Sequence, residues 1–160
     1  MRELRFRAWD IENEEMHYSE TEDDQIIWVF RNGEPKFVSY ESVHTINDGN
    51  DFEHEEYIER PQVLMQYTGL KDAIGVEIYE GDIVRWDDMS KGKYWRVAIV
   101  GMSPGFGGLG FKCFDCPSIK NSSAHGHVFK YGNFAYQDTE NHLTIIGNIH
   151  QNPELLEPAP

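Results

Sequence analysis

Cysteine is scarce in this chain, and no long apolar run is present. The 160 residues include two cysteines, Cys113 and Cys116, in a single C-x-x-C, so the sequence does not indicate a disulfide framework. No segment approaches the roughly 18 consecutive apolar residues that a membrane helix needs, and the opening MRELRFRAWD lacks the apolar segment of a secretory signal. We therefore expect a soluble, cytoplasmic protein without membrane partners, built around its own core.

Basic residues are also few, and the charge is unevenly distributed. Asp and Glu number 28 against 14 Lys and Arg, a formal net charge of -14. Residues 1–60 hold 17 acidic against 6 basic side chains, whereas residues 61–160 hold 11 against 8. Because nucleic-acid affinity comes from Lys and Arg that release counterions from phosphates, direct DNA or RNA binding is disfavoured. Two interpretations of the acidic excess stay open: a solubilising surface, or a nucleic-acid mimic that occupies a basic protein.

Strand-like alternation occurs at two places in the N-terminal third. ELRFRAW, at residues 3–9, alternates apolar and basic side chains and predicts a half-buried strand. IIWVF (26–30) and KFVSY (36–40) predict a hairpin, because Asn32-Gly33 between them supplies the positive φ angles that tight turns favour.

Two segments around these strands carry weaker patterns. Residues 10–24 predict an acidic hairpin or loop, in which MHYS is the only plausible pairing segment. Residues 44–59, HTINDGNDFEHEEYIE, show no regular alternation and predict a polar surface loop, with one helical turn near 53–59 and no strand.

Pro61 marks a change in the pattern, because the acidic density falls after it and short strand signals become regular. These signals lie at 63–67, 76–79, 82–86, 95–101, 110–114, 127–131 and 143–149. The regular spacing of these short segments predicts a small barrel or sandwich. A single helix signal lies at 133–141. The glycines of LMQYTGLKDAIGVEIYEGDIVRW (64–86) lie between these segments, so we expect them to shape turns rather than a phosphate-binding loop.

Three blocks of the sequence resemble one known family. FRAWD at 6–10, QYTGLKD…G.EIYEGDIV at 66–84 and IIGNIHQNPELLE at 145–157 resemble the hallmark blocks of the YopX family of bacteriophage and prophage proteins from Firmicutes. We recognise no family block in residues 11–60 and 103–142. The resemblance implies a small, largely β, phage-encoded cytoplasmic protein without an established activity, and it supplies no catalytic residues.

The step from EGDIV to the VAIV strand is similar to part of an SH3-like barrel, a shape that commonly serves in binding. We therefore predict a mainly β fold, with a β-rich α+β fold as the alternative. An acidic N-terminal β subdomain is expected over residues 1–60 and an SH3-like barrel with a C-terminal extension over residues 61–160. The strands at 82–86, 95–101 and 143–149 should share one closed or nearly closed sheet. We expect that sheet to bury Ile83, Ile99 and Ile146.

Four side chains have the chemistry of a structural zinc site. They are Cys113, Cys116, His125 and His127. C-x-x-C is a good half-site, but H-x-H follows it after only eight residues and a second C-x-x-C is missing, which is not a common zinc-finger spacing. We therefore predict no metal and no cofactor, and whether these four side chains meet around a metal stays open.

Other catalytic and ligand-binding motifs in the sequence are incomplete, because a required residue or backbone N–H group is missing from each. GMSPG at 101–105 matches G-x-S-x-G, but Pro104 follows Ser103 and has no N–H for an oxyanion hole. The glycine-rich segment at 101–111 has no Lys-Ser/Thr after it, and residues 47–56 lack the register of a calcium loop. We therefore predict that the protein is not an enzyme and has no catalytic residues.

The function predicted from these observations is that of a non-enzymatic accessory protein that binds an unknown host or phage protein. The alternatives are an acidic nucleic-acid mimic that inhibits a basic DNA-binding protein and, less favoured, a metal-dependent enzyme using the Cys/His set. The candidate partner-binding residues are Glu20, Glu22, Asp23 and Asp24, because a hairpin would hold these like charges together at the entrance to IIWVF, where a cationic partner would screen them. A homo-oligomer stays open.

Overall fold

The structure is a computed structural model that describes residues 4–20, 26–88, 94–105, 108–115 and 143–156. Its regular structure in these ranges is almost entirely β, which confirms the mainly β prediction. The strands are β1 (Phe6–Asp10), β2 (Glu15–Tyr18), β3 (Ile26–Arg31), β4 (Glu34–Asn47), β5 (Asn50–Ile58), β6 (Gln62–Lys71), β7 (Glu77–Tyr79), β8 (Asp82–Asp88), β9 (Tyr94–Gly105), β10 (Gly108–Asp115) and β11 (Leu143–Asn148). A short 3-10 helix follows at Pro153–Leu156.

The chain forms two compact units, an N-terminal unit over Arg5–Met65 and a C-terminal unit that begins at Gln66. The boundary between the two units, at Met65 and Gln66, therefore lies within β6. The predicted division into domains at 1–60 and 61–160 stays a prediction.

In the N-terminal unit, β1 and β2 form an antiparallel hairpin, and β6 follows β1 in the strand order β2-β1-β6-β7. MHYS was the predicted pairing segment, and β2 confirms it. Asp10 ends β1 and closes its turn, because its carboxylate accepts the N–H groups of Glu12 and Asn13 at 2.9 and 3.1 Å. The Asn32-Gly33 hairpin between β3 and β4 is also confirmed, with φ angles of 55° and 83°.

The prediction of a strandless loop over residues 44–59 is wrong. β4 continues to Asn47, and β5 pairs with it from Ser39↔Ile58 to Asn47↔Asn50. Asp48-Gly49 forms the turn, with φ angles of 50° and 80°, and Asp-Gly is a strong hairpin signal. Apolar alternation is missing because both faces of this hairpin are exposed from residue 44 to residue 57, so burial does not select apolar side chains on one face.

In the C-terminal unit, an antiparallel sheet has the order β10-β9-β8-β11. The strands predicted at 82–86, 95–101 and 143–149 therefore share one sheet, as expected. Ile83 is fully buried, whereas Ile99 and Ile146 are only partly buried and pack against the cluster of Ile83 and Val97. Closure of this sheet stays a prediction.

Adjacent residues of β8 point to opposite faces of the sheet, and this explains a second apolar cluster in the same unit. Val84 packs there with Ile78, Ala98, Val100 and Leu143. The sheet is thus covered on both faces. Strand β7 pairs with the second part of β6, whose register shifts between Tyr67 and Lys71.

The three glycines of the 64–86 stretch have positive φ angles, of 86° at Gly69, 92° at Gly75 and 78° at Gly81. Gly75 and Gly81 lie in turns that join short strands, and Gly69 lies at the register shift of β6. The prediction that glycines of this stretch shape turns between strands is confirmed for Gly75 and Gly81, whereas Gly69 lies inside β6 and not in a turn. The strand predicted at 127–131 and the helix signal at 133–141 lie outside the described residues. In the described part of the chain, no helix is long and apolar enough to span a membrane.

Candidate functional site

The buried carboxylate of Asp72 organises one of the three family-like blocks. One of its oxygens accepts the N–H groups of Ile74 at 3.0 Å and Val76 at 2.9 Å, and the other accepts the N–H of Ile145 at 3.2 Å. Asp72 is 6% exposed. It therefore holds the turn at 72–76 closed and ties that turn to β11, which is a structural role.

Asp82 has the same kind of role beside the last block. Its carboxylate accepts the N–H of Tyr79 at 2.7 Å and faces the side-chain amide of Asn148 at 3.4 Å. Gly147, next to Asn148, has no room for a side chain, because an added Cβ would lie 2.7 Å from the side chains of Asn152 and Leu155. The carboxylates of Asp72 and Asp82 thus both have structural roles in the fold.

Arg60 connects three carboxylates of the N-terminal unit. Its guanidinium lies 2.9 Å from Glu12 and 4.0 Å from Asp10, and it also bonds Glu41. Burial alone would raise the pKa of Asp10, but hydrogen bonds from Asn13 and Glu12 and the Arg60 charge outweigh burial and lower this pKa below 3.8. The hydrogen bond from Arg60 likewise lowers the pKa of Glu41.

The largest exposed acidic feature in the described residues is the outer part of the β4–β5 hairpin, residues 41–58, which we call the acidic ribbon. It contains six Asp and Glu and no Lys or Arg. Since the ribbon is exposed on both faces over most of its length, its side chains are available to a partner. We take the acidic ribbon as the candidate functional site.

Three carboxylates form a row along one face of β5, at Asp51, Glu53 and Glu55, because every second residue of a strand shares a face. Donors on β4 contact each of them. Ser42 donates to Glu53 at 2.6 Å, and Tyr40 donates to Glu55. The Nδ1 atom of His44 lies 3.2 Å from both oxygens of Asp51. These contacts hold the carboxylate row in a fixed orientation along the strand.

Apolar side chains are interspersed with the acids on the ribbon. Ile46 is 77% exposed, Phe52 56% and Tyr57 53%. The rings of Tyr57 and Tyr40 lie 5.0 Å apart and stabilise the base of the hairpin. Exposed aromatic groups beside charges are typical of surfaces that bind proteins.

The structure describes only one of the four predicted partner-binding residues. Glu20 is exposed and pairs with Arg5, whose Nη1 donates to it at 2.8 Å. Glu22, Asp23 and Asp24 lie outside the described residues, so the clustering of the four stays a prediction. Sequence reasoning missed the acidic ribbon, although its Asp48-Gly49 turn was a usable signal.

Several predictions concern motifs in and near β9 and β10. Strand β9 continues through Ser103, which pairs with Gly110, so a strand-to-helix nucleophile elbow is not formed there. Cys113 lies in β10 opposite Val100, whereas Cys116, His125 and His127 lie outside the described residues. The zinc question therefore stays open. Within the ranges that are described, no group of three metal-ligating side chains occurs.

The described residues are almost entirely β in their regular structure, as the family-like blocks imply. The chain belongs to the YopX family, because the family model described as YopX protein matches residues 5–157. It is also similar to a solved structure, the crystal structure of protein EF1440 from Enterococcus faecalis. The identity is 27% over 98% of this chain and 100% of that chain, with a TM-score of 0.53. No curated protein matches the sequence.

Proposed function

We propose that this protein is a non-enzymatic, cytoplasmic accessory protein of a bacteriophage or prophage, and that it binds another protein through the acidic ribbon. The observation that carries the proposal is the ribbon itself, an exposed hairpin with six acidic and no basic side chains over residues 41–58. Three of its carboxylates are held in a row by donors on β4. The phage setting is supported by the resemblance of the three hallmark blocks to phage and prophage proteins.

The role of the other acids supports binding over catalysis. The buried carboxylates of Asp10, Asp72 and Asp82 all accept backbone N–H groups, which supports structural roles for them. The three carboxylates of the row are exposed and contact side chains of β4. A solvent-exposed acid beside an aromatic side chain suits recognition of a cationic partner better than proton transfer to a bound substrate.

Two finer statements about the fold belong to this proposal. The first is an acidic N-terminal subdomain that carries the binding surface, in keeping with its excess of 17 acidic over 6 basic residues in 1–60. The second is an SH3-like barrel in the C-terminal part, which the order β10-β9-β8-β11 and the turn at Gly81 support. In this proposal the C-terminal unit provides a stable base for the chain.

Nucleic-acid mimicry is the alternative, and the carboxylate row bears on it. Alternate residues of a strand lie about 6.6–6.8 Å apart. One strand of duplex DNA rises about 3.4 Å along its axis per phosphate, and because its backbone winds around that axis, neighbouring phosphates lie further apart than this rise. Spacing therefore does not separate the two functions. The row has three carboxylates, fewer than the roughly 6–10 phosphates that a DNA-binding protein contacts, and this favours a protein partner that contacts individual carboxylates.

Affinity capture from lysogenic or phage-infected bacteria tests the proposal. The bait is the full chain, compared with a row variant carrying Asp51→Asn, Glu53→Gln and Glu55→Gln. A matched control changes the charge by the same amount at the other candidate site, with Glu22→Gln, Asp23→Asn and Asp24→Asn. We expect a specific partner that the full chain and the control retain and the row variant loses, because the row supplies the charge that steers association.

Two results would contradict this expectation. If all three baits capture the partner equally, the acidic ribbon is not the binding surface. Capture that fails only with the Glu22, Asp23 and Asp24 variant places the binding surface at the residues predicted from sequence. Competition with duplex DNA for the captured partner would favour mimicry instead.

A further inference from the structure

In the described part of the chain, β5 is an edge strand of the sheet β3-β4-β5, and none of the described strands pairs with its outer edge. Its two-residue turn makes Asn47 and Asn50 the first hydrogen-bonded pair, and bonded and non-bonded pairs alternate from there. The residues that direct their N–H and C=O groups away from β4 are therefore Asp51, Glu53, Glu55 and Tyr57.

The same kind of free edge on β4 is hydrogen-bonded within the protein. β4 extends beyond its last pair with β5, Ser39↔Ile58, and there Phe37 directs its backbone N–H and C=O groups to the side on which β5 lies. The side chain of Gln62 accepts the N–H of Phe37 at 3.0 Å and donates to its C=O at 3.0 Å. No described residue does the same for the outward backbone groups of β5, so this stretch of edge is open to an added strand.

The chemistry of the added strand follows from the side chains at this edge. The three outward-bonding acids, Asp51, Glu53 and Glu55, are also the carboxylate row. An added strand would place every second side chain next to this row, where opposite charges attract and like charges repel. A second copy of β5 is disfavoured, because residues 50–58 contain four acidic and no basic side chains. Charge on an edge strand is a common protection against such self-pairing.

We propose that the outer edge of β5 binds an extended segment of another protein as an added β-strand, with Lys or Arg at alternate positions. The main-chain hydrogen bonds come from residues 51, 53, 55 and 57, and the basic side chains pair with the carboxylate row. The intervening side chains of the segment lie on the face of Phe52, His54 and Glu56, where Phe52, which is 56% exposed, offers an apolar contact. This inference rests on the proposed function and specifies the partner of the same surface.

Two synthetic peptides test the inference with the purified full chain. One has lysine at every second position with valine and threonine between, and the other has the same composition with the lysines in one block. We expect the alternating peptide to bind about tenfold more tightly in fluorescence anisotropy, since three cross-strand pairs contribute about twofold each. Equal affinity for the two peptides, or no binding of either, would overturn the inference.

A pair of substitutions separates backbone pairing from charge. Glu53→Pro removes an outward N–H but no hydrogen bond to β4, and proline is tolerated at such edge positions. Glu53→Gln removes the same charge and keeps the N–H. We expect Glu53→Pro to weaken binding of the alternating peptide about tenfold beyond Glu53→Gln. Similar affinities for the two variants would refute strand addition.

Two further comparisons keep the outcome clear. If Glu53→Pro fails to fold, Glu53→Gln is compared with Glu56→Gln on the opposite face of β5, and only the former should weaken binding of the alternating peptide. An equal loss in both would refute the inference. If the peptides do not discriminate while capture of a cellular partner still depends on the row, strand addition is wrong and the proposed function stands.

Discussion

Replacing Asp72 by asparagine tests whether one carboxylate organises the central family-like block. The carboxylate accepts three N–H groups, from Ile74, Val76 and Ile145. Asparagine has the same shape but only one acceptor oxygen. Whichever way its amide is oriented, an NH2 group faces at least one backbone N–H, and that donor loses its partner.

The cost of this change follows from burial. Asp72 is 6% exposed, and a buried donor left without a partner costs about 1–3 kcal/mol. For a chain of 160 residues, this corresponds to a fall in Tm of about 3–9 °C. Urea and thermal unfolding, followed by circular dichroism, measure both quantities.

Asp51→Asn is the matched control, because it makes the same chemical change at a side chain that is 62% exposed. Exposed substitutions usually change stability by less than about 0.5 kcal/mol. If Asp72→Asn is as stable as Asp51→Asn, the hydrogen bonds of Asp72 do not stabilise the fold and the structural role assigned to it is wrong.

Three further outcomes are expected. Gly147→Ala should destabilise the protein by about 1–3 kcal/mol in urea unfolding, because its Cβ would lie 2.7 Å from Asn152 and Leu155; unchanged stability would show that this contact relaxes freely. The lowered pKa of Asp10 gives stability that is fully present above the ordinary value of 3.8 and is lost as the pH falls below it, so Asp10→Asn should lose less stability than the unchanged chain in acid unfolding, and an equal loss would contradict the sign. The chain should not shift duplex DNA in gels at physiological salt, since its net charge is -14; a salt-dependent shift at low micromolar protein would contradict this.

Strand content in the C-terminal part was predictable from sequence because burial there selects apolar side chains. Ile83 and Val84 are both fully buried, and the short apolar runs of β8, β9 and β11 follow from this. The partial exposure of Ile99 and Ile146 was not predictable, because alternation identifies a face but not how completely the neighbouring elements cover it.

The acidic ribbon was missed for the opposite reason. Its strands are stabilised by backbone pairing, by the Asp48-Gly49 turn and by polar contacts such as Ser42 with Glu53, none of which produces apolar alternation. The roles of Asp72 and Arg60 were also not predictable, because their partners are distant in sequence, for example Ile145 and Glu12. Turn dipeptides are a better guide than hydrophobicity where both faces of a hairpin are solvated.

Hydrogen–deuterium exchange on a complex with a captured cellular partner tests the central claim most directly. The account predicts new protection of the amides of Asp51, Glu53, Glu55 and Tyr57, which point to the free edge of β5, and little change in the C-terminal unit. Protection confined to the C-terminal unit or to residues 20–24, with the β5 amides unchanged, would contradict the claim that the acidic ribbon is the binding surface.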